Sequence, residues 1–412
     1  MDDLLQKGIL RLEWAKEHMG VLAQVRGEMV RNKSLKGKRV GMALHVEAKT
    51  GILALTLKEA GATVRLTSCN PLSTDDCVAV ALNKHHKLET YAKKWQTNKQ
   101  YYESLQKVLD MKPDIVVDDG GDLIFLLHTE RKELLDGIMG ANEETTTGII
   151  RLKAMAKEGA LKFPVMAVNN AKMKHLFDNR YGTGQSTFDG ILNATNLLIA
   201  GKRFVVAGYG WCGRGIAMRA RGMGAIVTVC EVDPVSAIEA HLDGFDVMPM
   251  AKAIAGADFL VSVTGCKDIV TAEHLKLAKD GIVLANSGHF DNEVSKTDLM
   301  RLSKSVRKVR ELVDEYTFKD GKRVYLLAEG RLVNLAAGQG HPVEIMDMSF
   351  AIQALCAQHL AVNGRKMKPG VYDVPKDMDD RVAELALKTS GIELDSLSKN
   401  QKAYLGSWRE GT

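Results

Sequence analysis

The stretch FVVAGYGWCGRGIAMRARGMGAIVTVCEVDP, residues 204–234, decides the fold of this chain. Its opening apolar residues have the pattern of a buried strand, and a helical pattern follows a turn that contains Gly208, Gly210 and Gly213. In such a turn the first glycine permits the tight bend, the second lets the backbone approach a pyrophosphate, and the third lets helix pack on strand. The stretch therefore predicts a dinucleotide-binding βαβ unit.

The residues after this turn indicate which dinucleotide is bound. A second apolar run, residues 225–229, leads to Glu231, an acid placed to accept hydrogen bonds from an adenosine ribose 2′-hydroxyl. No arginine follows at once to bind a 2′-phosphate, so NAD is favoured over NADP. A merely structural glycine turn is the alternative, but strand, helix, second strand and acid all agree with a nucleotide site. About 200 residues precede the turn, enough for a separate domain that brings the substrate.

Composition narrows the class of protein. The 412 residues predict two or three domains, and a hydrophobic fraction of 45% with a charged fraction of 26% is ordinary for globular proteins. The net charge of +5 is well mixed, which argues against a nucleic-acid partner. Six cysteines without CxxC spacing favour reduced thiols in a cytoplasm. The amphipathic N-terminus is unlike a signal peptide, and no apolar run approaches the ~20 residues of a membrane span.

Short apolar runs alternate with amphipathic segments on both sides of the fingerprint. The predicted strands are 39–44, 63–67, 115–118, 165–168, 259–263, 282–286 and 324–327, and the predicted helices are 51–59, 100–109, 133–139, 216–223, 235–241, 271–277 and 343–359. This alternation predicts an α/β fold with two doubly wound, Rossmann-like parallel sheets. We expect a substrate domain over residues 1–182, completed by 342–412 through a returning C-terminal helix, and an NAD domain over 183–341, with glycine hinges between them.

Polar clusters follow several of the predicted strands, where open α/β sheets bind ligands. Acids and glycines at 118–122 come directly after a buried strand. A second cluster, 143–148, has a helix N-cap with acids in the first turn as its alternative interpretation. Lys174 and Asp178, four residues apart, share a helix face, and a surface ion pair is the alternative there.

Three histidines are further candidates. His45 also follows a strand, although a lone histidine there is more often a structural hydrogen-bonder, and His289 and His341 come from the other domain. No paired His/Cys spacing indicates a metal site.

Together these motifs make the chain resemble the S-adenosylhomocysteine hydrolase family over essentially its whole length. The match rests on DDGGD (118–122), EETTTG (143–148), KHLFDNRYG (174–182), AGYGWCGRG (207–215), EVDP (231–234), GHFD (288–291) and LLAEGRLVNLAAGQGHP (326–342). The resemblance implies a tightly held NAD that oxidises the ribose 3′-hydroxyl, elimination of homocysteine, addition of water and re-reduction. It also implies a homo-oligomer, most often a tetramer.

The resemblance carries roles onto particular residues. Lys174 is expected to deprotonate the 3′-hydroxyl, with a pKa lowered by a partly buried site, beside Asp178 and oriented by Asn169. Asp119 and Glu144 are expected to bind the ribose and organise proton transfer. His45 and His289 are expected near the 5′ position. The implied substrate contacts are Glu47, Lys49, Thr50, His341, Met346 and Phe350, and the implied NAD contacts are Thr145, Thr146, Thr147, Asn179, Gly208, Gly210, Trp211, Cys212, Gly213, Glu231, Ser287, Gly288, His289, Asn334 and His341.

The chain departs from the family pattern at three places. Thr183 replaces a frequent cysteine, and Ser236 replaces a frequent asparagine after the ribose-binding acid. The chain stops at residues 407–412, whereas many relatives continue into a tail that reaches the neighbouring subunit's NAD site. This resembles the shorter family form, similar to the S-inosylhomocysteine hydrolases of methanogenic archaea, and implies weaker retention of NAD.

The base-binding motif departs as well. Many members read adenine with His-x-Thr-x-Glu, whereas this chain has His45, Glu47 and Lys49 at those positions. Hypoxanthine reverses the donor and acceptor of adenine at position 6 and N1, and a lysine donor with a glutamate acceptor matches that reversal. S-inosylhomocysteine is therefore expected to be preferred, with S-adenosylhomocysteine accepted more slowly. The alternative is that Glu47 and Lys49 pair with each other or face solvent.

Two other functions fit parts of the sequence. A conventional NAD-dependent dehydrogenase that releases NADH would explain the fingerprint alone. A non-catalytic regulatory binder of the same fold would explain the overall resemblance, although the intact Lys174, Asp178, His45 and His289 count against it. An ordinary adenosine preference is a further alternative within the hydrolase assignment.

Overall fold

A computed structural model of the chain describes residues 2–409 and contains two sheets, each with helices on both faces. The first sheet is parallel throughout and has the order β15-β6-β5-β4-β1-β2-β3. Its strands are β1 (Arg39–Ala43), β2 (Thr63–Thr67), β3 (Glu89–Thr90), β4 (Ile115–Asp118), β5 (Gly140–Glu143), β6 (Pro164–Ala167) and β15 (Gly370–Asp373). The predicted strands of this half are confirmed to within a residue, while β3, β5 and β15 were not predicted.

The second sheet has the order β12-β13-β14-β11-β10-β7-β8-β9. Its strands are β7 (Arg203–Ala207), β8 (Ile226–Cys230), β9 (Asp246–Val247), β10 (Phe259–Ser262), β11 (Ile282–Asn286), β12 (Ser303–Arg310), β13 (Val313–Phe318) and β14 (Arg323–Leu327). Pairing is parallel except at one edge, where β12, β13 and β14 run antiparallel. The two-sheet α/β prediction is confirmed, but the antiparallel edge makes the second sheet mixed rather than wholly parallel.

Eighteen α-helices surround the sheets within the described residues. They are α1 (Asp2–Glu17), α2 (Gly20–Asn32), α3 (Ala48–Glu59), α4 (Asp76–Lys84), α5 (Asn98–Leu109), α6 (Asp122–Thr129), α7 (Thr146–Lys157), α8 (Lys172–His175), α9 (Thr183–Thr195), α10 (Trp211–Gly222), α11 (Pro234–Leu242), α12 (Met250–Ala253), α13 (Ala272–Leu277), α14 (Lys296–Leu302), α15 (Val333–Ala336), α16 (Val343–Asn363), α17 (Lys376–Thr389) and α18 (Lys399–Leu405).

Two of the predicted helices differ most from the structure, while α3 begins three residues earlier and α16 ends four residues later than predicted. Residues 133–139 were expected to be α-helical, but the chain makes a 3-10 turn over Lys132–Gly137, which ends at a glycine. The fingerprint helix α10 begins at Trp211, five residues before the predicted start, because the segment that contains Gly213 and Gly215 is already helical.

Helix α16 returns to the first sheet, as predicted. It packs against α2, α3, α17, β4 and β5, and its apolar side chains belong to the core that fills one face of that sheet. The expectation that no apolar run approaches the length of a membrane span is wrong for the segment 343–366, the one described helix long and apolar enough to cross a membrane, yet 67% of its most apolar window is buried inside the protein. Its composition therefore reflects a core helix. The domain boundaries at 182/183 and 341/342 stay a prediction.

Candidate active site

Four neighbouring strands of the first sheet each lead into a candidate residue. In the spatial order β6, β5, β4 and β1, the strands are followed within two residues by Asn169, Glu144, Asp119 and His45. Parallel strands bring their carboxyl ends to one edge of a sheet, so residues far apart in sequence meet there. This topology assembles the site.

The edge opens into a cavity of about 510 Å³ between the two sheets. Every predicted site residue except Gly208, Gly213 and Glu231 lines it. The lining also includes Thr264 and Gly265, which sequence reasoning missed although they closely follow the predicted strand of β10. Their position after a strand was a signal that could have revealed them.

One group of polar side chains surrounds Lys174, and we call Lys174, Asp178, Glu144 and Asn169 the Lys174 cluster. The ammonium donates to Asp178 Oδ1 at 3.0 Å, to Asn169 Oδ1 at 3.2 Å and to Asn179 Oδ1 at 3.0 Å. Glu144 Oε1 lies 3.5 Å from the same nitrogen. Lys174 and Asp178 are each only 4% exposed, so the alternative of a surface ion pair is wrong.

The charges of the Lys174 cluster set the proton affinities of its members. Burial alone would lower the pKa of Lys174, but the nearby Asp178 and Glu144 carboxylates outweigh it and hold that pKa above its ordinary value. The expected lowered pKa is therefore wrong for this arrangement, since it took account of burial and not of the two carboxylates. Burial, only partly offset by Lys174, raises the pKa of Glu144 to about 7.

Two side chains of helix α16, distant from Glu144 in sequence, donate hydrogen bonds to its carboxylate. Ser349 Oγ donates to Glu144 Oε1 at 2.8 Å, and Gln353 Nε2 donates to Glu144 Oε2. Glu143 is buried at the end of β5, where its carboxylate accepts from the backbone N–H groups of Gly120 and Thr145. Thr145 is the N-cap residue of α7, as the alternative interpretation expected, but both acids precede the helix rather than lie in its first turn, and Glu144 lines the cavity.

A second group, which we call the His45 cluster, contains His45, Asp119 and His289. Asp119 lies between the imidazoles, with Oδ2 3.3 Å from His45 Nε2 and Oδ1 3.7 Å from His289 Nδ1. His289 follows β11 of the second sheet, so this group joins the two sheets. Burial lowers the pKa of His45 to about 4, which leaves its ring neutral near pH 7.

The surroundings of His45 clarify its hydrogen bonding. Ser73 Oγ lies 2.6 Å from His45 Nδ1 and Cys69 Sγ lies 3.3 Å from it. Because a carboxylate only accepts, the tautomer that suits Asp119 has its proton on Nε2 and leaves Nδ1 as an acceptor facing Ser73. His45, Asp119 and His289 also offer one ligand atom each within 4.8 Å of one another, a grouping that can hold a metal ion. Spacing along the chain did not predict this grouping, and the absence of a metal site stays a prediction.

The glycine turn of the second sheet has the expected geometry. Gly208 has φ +105°, and a Cβ on Gly213 would lie 2.0 Å from the Gly208 carbonyl oxygen, so both positions require glycine. A Cβ on Gly210 would meet nothing within 4 Å, which leaves the backbone open to a ligand. Glu231 accepts from Tyr209 N at 2.6 Å and from Asp233 N at 3.1 Å, and so braces the turn.

The cofactor side of the cavity contains an unpaired acceptor. Asn334 is 1% exposed, and its Oδ1 has no hydrogen-bond partner among residues 2–409. Its Nδ2 and Thr183 Oγ1 both lie 3.3 Å from His341 Nε2. A buried acceptor beside an open glycine turn fits a bound group that supplies a donor there.

The residues expected to read the base do pair with each other. Lys49 Nζ lies 2.8 Å from Glu47 Oε2 and donates to the Gln339 carbonyl at 2.7 Å. Glu47 also caps α3 by accepting from Lys49 N at 2.9 Å and from Thr50 N and Oγ1 at 3.1 Å each. Each carboxylate oxygen of Glu47 therefore already receives two donors. The expectation that Glu47 accepts a hydrogen bond from N1–H of the base is wrong for this arrangement. Lys49 keeps one N–H for the cavity.

Comparison with known proteins agrees with this geometry. The family model described as "S-adenosyl-L-homocysteine hydrolase" matches residues 3–138, and the model described as "S-adenosyl-L-homocysteine hydrolase, NAD binding domain" matches residues 179–340. The second match spans the glycine turn, β7–β14 and Asn334.

Similar curated proteins extend over nearly the full length. S-inosyl-L-homocysteine hydrolase of Methanocaldococcus jannaschii is 59% identical, covering 100% of this chain and 98% of that protein. Adenosylhomocysteinase of Thermoplasma volcanium is 58% identical, with coverage of 98% and 99%. S-inosyl-L-homocysteine hydrolase of Methanococcus maripaludis is 57% identical, with coverage of 99% and 98%.

Proposed function

The chain belongs to the S-adenosyl-L-homocysteine hydrolase family, and we propose that it hydrolyses the thioether of S-inosyl-L-homocysteine to inosine and L-homocysteine with NAD, accepting the adenosyl compound more slowly. The observation that carries the reaction is that one cavity is lined by both the Lys174 cluster and the His45 cluster. The first steps of the reaction need proton transfer at a ribose hydroxyl, and the later steps need proton transfer at the neighbouring thioether carbon.

The cofactor fits the second sheet. We propose that NAD contacts Thr145, Thr146, Thr147, Asn179, Gly208, Gly210, Trp211, Cys212, Gly213, Glu231, Ser287, Gly288, His289, Asn334 and His341. When bound, NAD supplies a reversible two-electron oxidation of the ribose 3′-carbon. The open Gly210 backbone and the unpaired Asn334 Oδ1 support this placement.

The Lys174 cluster handles the 3′-hydroxyl proton. A fully hydrogen-bonded ammonium cannot accept a proton until it gives one up, and Glu144, 3.5 Å away, is the carboxylate placed to take it, at a free-energy cost because the pKa of Lys174 is the higher one. Lys174 Nζ then removes the hydroxyl proton while Asp178 and Asn169 hold it in place. Glu144 therefore acts as the proton reservoir that allows a lysine of raised pKa to serve as a base.

The His45 cluster acts where the thioether leaves. A 3′-ketone acidifies the C4′ hydrogen, so loss of that proton expels homocysteine thiolate from C5′ and leaves a double bond. Water adds to C5′, the C4′ proton returns, and reduction of the ketone gives the nucleoside, for a net addition of one water. Neutral His45 and the Asp119 carboxylate are suited to exchange protons with water and thiolate.

Lys49 supports the preference for the inosyl substrate. Its remaining N–H can donate to the carbonyl at position 6 of hypoxanthine, whereas the amino group of adenine would place a donor against a donor. Glu47 holds Lys49 and caps α3, with Thr50, Met346 and Phe350 completing the substrate side of the cavity. A mismatched buried polar group costs about 1–3 kcal/mol, which corresponds to a preference of roughly 5- to 150-fold.

Competition between the two substrates tests this preference. We expect a kcat/KM ratio that favours S-inosylhomocysteine, and we expect Glu47→Thr with Lys49→Glu to shift the ratio toward the adenosyl compound. A wild-type ratio that is equal or favours adenosyl would refute the preference and leave the thioether hydrolase in place. Purified protein that carries no retained NAD and releases NADH would instead favour a dehydrogenase.

We further propose a homotetramer located in the cytoplasm. Trp408 is 89% exposed and several apolar residues of 392–405 are also exposed, which favours contact with another subunit. The apolar helix α16 gives no such support, because it is buried within its own chain. Light scattering at micromolar concentration tests the assembly, and a monomer would refute it.

A further inference from the structure

One arginine outside the cavity lining contacts both sheets. Arg151 lies on α7, and its guanidinium carbon is 5.6 Å from the ring centre of Phe125 and 5.7 Å from that of Phe290. Phe125 belongs to α6 beside the first sheet, whereas Phe290 follows β11 of the second sheet. The Arg151 guanidinium therefore lies within the range of cation–π attraction of two rings, one beside the first sheet and one that follows a strand of the second sheet.

Hydrogen bonds orient this guanidinium on the first sheet. Arg151 Nη1 donates to the Gly120 carbonyl and, at 2.8 Å, to Asp122 Oδ1. Both acceptors belong to the loop 118–122 that carries Asp119. Because a guanidinium is planar and its donors have fixed directions, these bonds determine the plane that Arg151 presents to Phe290.

Phe290 is directly linked to His289. The two rings are edge-to-face with centres 4.9 Å apart, and Asn286 Nδ2 donates to the Phe290 carbonyl at 2.8 Å. His289 lies so close to the loop that a Cβ on Gly120 would be 2.2 Å from its Nε2. This approach exists only while the turn 286–290 rests on the loop 118–122.

We propose that Arg151 is a positioning residue that holds the His289–Phe290 turn on the loop 118–122 and thereby slows opening of the cavity and escape of the bound nucleoside. The inference rests on the proposed function, because it takes the ligand of the cavity to be the nucleoside. It adds a residue that touches neither the cavity nor the reacting atoms. Its contact with Phe290 crosses between the sheets, while its contact with Phe125 does not.

Two measured rates, the release of bound nucleoside and its oxidation, distinguish the positioning role of Arg151 from a general structural role. Labelled inosine is bound to the NAD-loaded enzyme and chased with unlabelled inosine, and reduction of bound NAD is followed at saturating inosine. We expect Arg151→Gln and Phe290→Leu to release inosine about three- to fivefold faster, the effect of one partly exposed cation–π contact. Because the Lys174 cluster is untouched, the rate of NAD reduction should stay within about twofold of wild type.

Matched controls use the two rings on the same guanidinium. Phe125→Leu removes the ring on α6, beside the first sheet, and should leave the rate of inosine release unchanged. Phe290→Tyr keeps an aromatic ring at the position that follows β11, and should also release inosine at the wild-type rate. The double variant Arg151→Gln/Phe290→Leu should release no faster than either single variant, because both lose one shared contact.

Three results would overturn the proposal. Unchanged release in Phe290→Leu, or equal acceleration in Phe125→Leu, would exclude Arg151 as a link between the sheets while leaving the hydrolase intact. A wild-type protein that retains no inosine would refute the proposed function and this inference together.

Discussion

The Lys174 cluster and the His45 cluster line the same cavity but control protons in different ways. Around Lys174, neighbouring charges outweigh burial at two groups, so the lysine keeps a raised pKa and Asp178 a lowered one, while burial prevails at Glu144. Around His45, burial dominates, and the imidazole stays neutral beside a single carboxylate. A change in the first cluster therefore disturbs several coupled groups, whereas a change in the second should remain local.

The largest effect is expected in the Lys174 cluster. Lys174→Ala and Asp178→Ala should each slow 3′-oxidation by at least about 10³-fold while nucleoside binding is partly retained, because both groups act mainly in the transition state. Absorbance of bound NADH after addition of inosine or adenosine measures this step. A Lys174→Ala protein that reduces its NAD at nearly the wild-type rate would exclude the assigned base.

A smaller and more selective effect is expected in the His45 cluster. His45→Gln should lower overall hydrolysis by about 10²-fold, yet change the rate of 3′-oxidation by less than about threefold, because His45 acts at C5′ rather than at the 3′-hydroxyl. Homocysteine release and NADH absorbance, measured on the same preparation, separate the two steps.

The matched control is Lys174→Ala, in which both signals should fall together. Equal losses of both signals in His45→Gln would show that the two clusters are not functionally separate.

The sequence predicted the Lys174 pair and the histidines because their signals are local. A spacing of four residues places Lys174 beside Asp178, and a strand ends just before His45. Strand β5 was missed because its sequence, Gly-Ala-Asn-Glu, lacks an apolar run, although all four residues are buried. Asn142 donates to the Gln353 carbonyl and Glu143 accepts from Gly120 N, and no local pattern indicates these distant partners.

The contacts that tune the site were beyond local prediction. Ser349 and Gln353 reach Glu144 from more than 200 residues away, and Arg151 meets Phe290 from the other sheet. The expected direction of the Lys174 pKa was wrong because it took account of burial and not of the Asp178 and Glu144 carboxylates, which raise that pKa. Glu47 and Lys49 both line the cavity, and their mutual pairing is the alternative that the sequence left open.

The smallest expected effect is a pH dependence that distinguishes the two clusters. Glu144, with a pKa of about 7, must be ionised to accept a proton from Lys174, so the rate of 3′-oxidation should fall about tenfold for each pH unit below 7 and level off above it. His45, with a pKa of about 4, remains neutral across pH 6–9 and adds no inflection there. Single-turnover NAD reduction measured from pH 5.5 to 9, roughly the range over which Glu144 changes charge and His45 does not, provides the profile. In Glu144→Gln the rate should be lower and nearly independent of pH, while His45→Gln should keep the wild-type inflection. An unchanged inflection in Glu144→Gln would show that another group supplies the proton reservoir and that the coupling inferred for the Lys174 cluster is wrong.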